Sequence, residues 1–153
     1  MAVNFRSILS PQAVCLGVSA GSSDEVIALL GERLRQLGKV RDSYVEALIT
    51  RESTMPTGLP LGSINVAVPH ADPEHVVAPA IALATLKEPV PFGSMDDPDE
   101  KIPVQVVIAL ALTDKNAQIE MLQAVAGFIQ NPGALAALTT ATTPEEAFAA
   151  FPT

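Results

Sequence analysis

The sequence predicts a single α/β domain in three layers, one sheet with helices on both faces, and three observations carry that expectation. Apolar, β-branched runs at 13–18, 65–68, 80–86 and 104–112 alternate with helical periodicity at 22–37, 42–51 and 116–129, the order that builds a sheet covered by helices. Val104 to Leu112 is almost unbroken apolar sequence, as expected of a strand buried on both faces. Hydrophobic residues are 48% of the 153 and charged ones 17%, enough for one sizeable core. Five Phe, one Tyr and no Trp leave that core mainly to Ala, Val, Leu and Ile. No repeat or linker divides the chain, so 1–153 reads as one unit.

In chain order, Ala13 to Val18 is the first strand. Gly21 turns the chain, and Ser22 with Glu25 three residues later forms a capping box. Val26, Leu29, Leu30, Leu34 and Leu37 then follow helical spacing until Gly38 stops the helix. Asp42 or Ser43 caps a second helix carrying Tyr44, Ala47, Leu48 and Arg51. Pro56, Gly58, Pro60 and Gly62 make 54–62 a loop. Asn65 to Val68 is a strand that Pro69 ends. Asp72-Pro73 opens a helix that Pro79 limits to a turn or two.

Ala80 to Leu86 is a strand and Val90 to Phe92 a separate short extended piece, followed by an acidic loop from Gly93 to Glu100. After the strand at 104–112, Asn116 to Ile129 forms a helix with Ile119, Leu122, Val125, Ala126 and Ile129 on one stripe. Asn131-Pro132-Gly133 breaks it. Ala134 to Leu138 and Pro144 to Phe151 are short closing helices, the last capped by Thr143 or Thr142.

A formal charge of -8 argues against nucleic acid and anionic membrane surfaces as partners. The longest apolar run, Val106 to Leu112, is far short of the roughly 20 residues of a membrane helix, so the protein is not expected to be an integral membrane protein. The opening residues lack a signal peptide's pattern. One cysteine, Cys15, forms no internal disulfide and reads as core filler; a cytoplasmic location follows.

Several motifs fail on context. Gly17-Val18-Ser19-Ala20-Gly21 matches G-x-S-x-G, but follows the first strand, with no acid-then-histidine order behind it. Gly38-Lys39 lacks the phosphate-loop spacing. Asp96, Asp97, Asp99 and Glu100 lack calcium-loop spacing and read as a solvated acidic loop. His70 and His75, five apart around Pro73, do not make a metal pair. No metal and no cofactor are expected.

His70 is different. It follows a strand-ending proline, where ligand sites of α/β sheets lie, and neutral imidazole is a nucleophile near its pKa of about 6.5. A phosphoryl group arriving there would need fixed positive charge, which Arg51 offers better than a lysine would.

Arg51-Glu52, Thr57-Gly58 and Val66-Ala67-Val68-Pro69-His70 together resemble the fructose/mannitol/nitrogen-regulatory class of enzyme IIA, type 2, of the bacterial phosphoenolpyruvate-dependent sugar phosphotransferase system. The resemblance covers nearly the whole chain and implies a mixed, partly parallel sheet. It implies that His70 accepts a phosphoryl group from the phosphocarrier HPr and passes it to a cysteine of a IIB component. Arg51 would steady the phosphoryl group, and Thr57, Gly58 and Pro69 would shape the pocket. Many members carry a histidine at the start of the late helix where this chain has Gln118. Glutamine can donate to a phosphoryl oxygen but adds no charge. That glutamine, the Met55-Pro56 loop and His75 look most like the galactitol-type branch. The alternative is a nitrogen-type regulatory module, in which the same phosphorylation sets affinity for a transporter or kinase.

Overall fold

The computed structural model of the chain describes residues 5–62 and 64–151. Five strands form one mixed sheet in the order β1-β4-β5-β3-β2: β1 (Leu9–Val18), β2 (Gly58–Leu59), β3 (Val66–Ala67), β4 (Ala80–Gly93) and β5 (Lys101–Ala111). β1 runs parallel to β4 and β3 parallel to β5, while β4/β5 and β2/β3 are antiparallel. Among the described residues six helices surround it: α1 (Phe5–Ile8), α2 (Ser23–Gln36), α3 (Tyr44–Thr54), α4 (Lys115–Ile129), α5 (Pro132–Thr140) and α6 (Pro144–Ala150).

Alternation along the central strands decides how each face is packed. Ala82, Ala84 and Ala109 point to one face, where Val26, Ile27, Leu30 and Leu34 of α2 and Tyr44 and Leu48 of α3 close over them. Small sheet residues let these helices sit close, and α2 and α3 also approach each other tightly. A Cβ added at Gly31 would stand 2.8 Å from Val45 Cγ2. Ile81, Leu83, Ile108 and Leu110 point the other way, into a core closed by α1, α4, α5 and α6. There Phe5, Phe128 and Phe151 pack together, the last two rings stacked at 4.6 Å. Each buried Leu, Ile or Phe contributes about 1.5–3 kcal/mol.

Two of the predicted caps make their bond, and two, Ser43 and Asp72, do not. Ser22 accepts from Glu25 N–H, and Thr143 from Glu146 N–H. Ser43 takes the N-cap place of α3 without a side-chain cap bond, because its hydroxyl pairs with His75 Nδ1 at 2.8 Å instead. Asp72-Pro73 yields only a 3-10 turn over Pro73–His75.

Three expectations need correction. The runs at 80–86 and 90–92 are one strand, β4, because β5 pairs with both across a register shift between Thr85 and Val90. The loop at 54–62 contains β2, whose partner β3 is separated from it in sequence. Ile119 does not join the buried stripe of α4. That stripe is Met121, Val125, Phe128 and Ile129, and Ile119, about 200° around the helix from Met121, is 54% exposed. Helix α1 carried no helical signal of its own.

Candidate functional site

The backbone at His70 is held by the sheet beyond the end of β3. Pro69 has no N–H to give, but its carbonyl accepts from Leu110 N–H at 2.9 Å, and His70 bridges Leu110 in parallel. On the other side Val68 N–H donates to the Thr57 carbonyl at 3.3 Å. Leu110 is itself fixed, since the buried Tyr44 hydroxyl of α3 donates to its carbonyl at 2.7 Å. Burial pushes that phenol's pKa up, so it stays a donor.

The imidazole is buried, 8% exposed, with Nδ1 2.8 Å from the Val68 carbonyl oxygen. A carbonyl only accepts, so Nδ1 carries the hydrogen, and in the neutral ring Nε2 keeps the free electron pair. Burial holds the His70 pKa below its ordinary value; the Arg51 charge adds to this, while the Val68 carbonyl and Asp72 partly oppose it. At neutral pH the ring is therefore uncharged and nucleophilic at Nε2.

His70 lines a cleft of about 340 Å³ with Arg51, Met55, Thr57, Met95 and Pro98 among its walls. Arg51 comes from the last turn of α3, placing its guanidinium beside the histidine. Its Nη1 donates to Asp72 Oδ1 at 3.2 Å, and its buried Nε has no acceptor among the described residues. The next residue, Glu52, is buried and accepts from both Thr57 N–H and Thr57 Oγ1, each at 2.8 Å. Burial raises the Glu52 pKa, and the two Thr57 donors pull it back. This carboxylate ties the loop to the helix that carries Arg51.

Gly58 sits behind the cleft. It pairs with Ala67 and bridges Ser94, and a Cβ there would lie 2.5 Å from the Gly93 carbonyl oxygen. Met95 N–H donates to the Gly58 carbonyl at 2.7 Å. The tip of the β4–β5 hairpin is thereby fastened to the loop, which brings Met95 and Pro98 to the mouth.

His70, Arg51 and Thr57 thus converge on one cleft. Gly58 and Pro69 do not line it; they hold its walls. Gln118 lies half-buried in the first turn of α4, its N–H donating to the Asp114 carbonyl at 3.0 Å, and is not among the cleft's lining residues. His75 pairs with Ser43 in a second groove of about 440 Å³, which also takes in Arg51 and Asp72. Among the described residues no group of three or more His, Cys, Asp or Glu could hold a metal ion, and no helix is long and apolar enough to cross a membrane. Sequence reasoning missed Asp72 as a partner of Arg51, Glu52 as the loop's anchor, and Met95. Of these only Glu52 left a trace, as the neighbour of Arg51 five positions before Thr57.

A neutral imidazole with its free nitrogen beside a cation, in a cleft open to solvent, suits attack on an electrophile that carries negative charge. Residues 7–152 match the family model described as "Phosphoenolpyruvate-dependent sugar phosphotransferase system, EIIA 2". The galactitol-specific EIIA component of Escherichia coli K12 is 33% identical over 124 residues, 81% of this chain and 82% of that protein. The nitrogen regulatory protein IIA-Ntr of Neisseria meningitidis shares the fold at a TM-score of 0.71 and 27% identity, over 95% of this chain and 97% of its own. Enzyme IIA for mannitol from Escherichia coli, solved in complex with phosphorylated IIB, has a TM-score of 0.77 over 94% of this chain and 97% of its own. At 24% identity that last likeness is one of fold.

Proposed function

The chain belongs to the EIIA 2 family of the phosphoenolpyruvate-dependent sugar phosphotransferase system, and from that premise we propose that it is a cytoplasmic phosphoryl carrier, a single EIIA domain over 1–153, whose His70 takes a phosphoryl group from phospho-HPr and passes it to a cysteine of a cognate IIB. The observation that carries this reading is the bond from His70 Nδ1 to the Val68 carbonyl, which leaves Nε2 as the attacking atom. Its electron pair forms the bond to phosphorus while the donor's nitrogen–phosphorus bond breaks and its pair stays with the donor. In the second step the IIB thiolate attacks, and Nε2 recovers its pair. The Nδ1 proton need not move in either step. Arg51 matches the charge on the transferring oxygens; Gln118, outside the cleft's lining, adds at most a neutral donor from α4.

Likeness to the galactitol component supports a role in sugar or sugar-alcohol uptake. The mannitol relative's complex with phosphorylated IIB supports IIB as the acceptor. A second reading, a regulatory module whose His70 phosphorylation sets binding to a transporter or kinase, draws on the likeness to IIA-Ntr.

Incubated with phosphoenolpyruvate, enzyme I and HPr, the protein should gain one acid-labile, base-stable phosphate that His70→Ala abolishes. Equal labelling of His70→Ala would overturn the proposal. Transfer onward to one member of a panel of IIB proteins selects the transport reading, and transfer to none selects the regulatory one.

A further inference from the structure

Asp72 stands two residues beyond His70, at the opening of the 3-10 turn, and has no capping bond of its own there. Its Oδ1 accepts from Arg51 Nη1 at 3.2 Å. The two charges therefore meet across 21 residues of chain, one from α3 and one from the His70 segment. Arg51 is shared: it borders both the His70 cleft and the outer groove, whereas Asp72 borders the outer groove alone. The guanidinium is under-used, with its Nε buried and unpartnered among the described residues. The Asp72 carboxylate is also close enough to act electrostatically on the His70 ring.

We propose that Asp72 is a positioning residue that sets how firmly His70 holds its phosphoryl group, by competing with that group for the Arg51 guanidinium. The inference rests on the carrier reading above. A phosphoryl group at Nε2 brings about two negative charges to a place where one carboxylate already occupies Arg51. Before phosphorylation, the ion pair keeps the guanidinium beside the cleft. Afterwards the carboxylate is a like charge across Arg51 and a rival for its donors, which raises the free energy of the phosphorylated form. Asp72 thereby keeps the phosphoryl group transferable. Because the pair is partly exposed, 27% for Arg51 and 54% for Asp72, the effect is a tuning and not a switch.

The test is the equilibrium of phosphoryl exchange between HPr and the protein, read by phosphorus NMR. Asp72→Asn keeps an acceptor oxygen near Nη1 and removes the charge. It should shift the equilibrium about threefold toward the phosphorylated protein, the scale of a partly exposed ion pair. Asp72→Glu should stay nearer the wild type. In an Arg51→Ala background, Asp72→Asn should produce a clearly smaller shift, since only the direct charge effect remains. An unmoved or oppositely moved equilibrium with Asp72→Asn, or a shift of equal size without Arg51, would overturn the inference while leaving the carrier reading intact. A wild-type protein that takes no phosphate at all would overturn both.

Discussion

Two strand ends in this molecule each present a side chain that could act as a nucleophile. After β1 comes Ser19, inside a glycine-serine-glycine turn; after β3 comes His70. The cross-strand registers put His70 level with Leu110, Ile81 and Leu9. Ser19 lies past Val18, which is level with Leu86, five positions further along β4 and with β5 and β4 between the two. Ser19 is exposed, and the polar groups near it serve the turn: Gly17 N–H donates to Thr85 Oγ1 and Gly21 N–H to Glu25 Oε2. Gly17 takes φ 62°, the left-handed geometry glycine supplies. At His70 the same kind of strand end meets the end of α3, the 54–62 loop and the hairpin tip. A local pattern built a turn at one place. At the other, convergence from distant segments built a site.

The largest test of that contrast is a pair of variants in the phosphorylation assay. Ser19→Ala should keep full labelling and His70→Ala should show none, and loss of label with Ser19→Ala would reverse the comparison. Next, Arg51→Ala should slow transfer about 100-fold, as when one fixed donor to developing charge is lost, while Gln118→Ala should slow it less than about tenfold. The reverse order, measured by rapid quench, would move the centre of the site towards α4. Removing the buried Glu52 carboxylate with Glu52→Ala leaves the Thr57 N–H without its acceptor and should cost about 1–3 kcal/mol of stability in urea unfolding. Gly17→Ala, which strains the positive-φ position at the register break near the end of β1, should cost about 1 kcal/mol.

The smallest effect is on pH dependence. Since burial lowers the His70 pKa, its NMR titration should have a midpoint below the ordinary value of about 6.5. The sign for stability follows. Above the unfolded pKa neither state binds the proton; as pH falls below it, the unfolded chain gains a proton that the folded one refuses, and stability declines. His70→Asn, which keeps an N–H for the Val68 carbonyl, should weaken that decline. A midpoint above 6.5 would contradict it.

The sequence displayed what depends on near neighbours. The α2 cap at Ser22 and Glu25, the long apolar run of β5 and the proline before His70 all work within a few residues. It hid what depends on distant ones. Lys87, Glu88 and Pro89 are exposed where the β5 register jumps from Thr85 to Val90, and only pairing with β5 on both sides of that break makes one strand, so β4 looks like two pieces. Gly58 and Leu59 look like loop until β3 lies beside them. Ser43 looks like a cap until His75, 32 positions away, takes its hydroxyl. For the site, His70 and Arg51 were legible as chemistry and Thr57 only through the family resemblance, whereas the Arg51–Asp72 pair and the Met95 wall exist only once the sheet has folded. Ile119 misled for a simpler reason: a lone apolar residue near the start of a helix can lie off the stripe.

The Nδ1 bond to the Val68 carbonyl joins the imidazole to its own backbone only two residues back. A ring fastened that closely, on a backbone stitched to Leu110, cannot sweep its cargo outward as a long flexible arm would. In the proposed carrier role, donor and acceptor would each have to come to the same nitrogen and bring their reacting atom into the same 340 Å³ cleft, and so exclude one another. Traffic through His70 would then be single-file, with one partner departing before the next arrives.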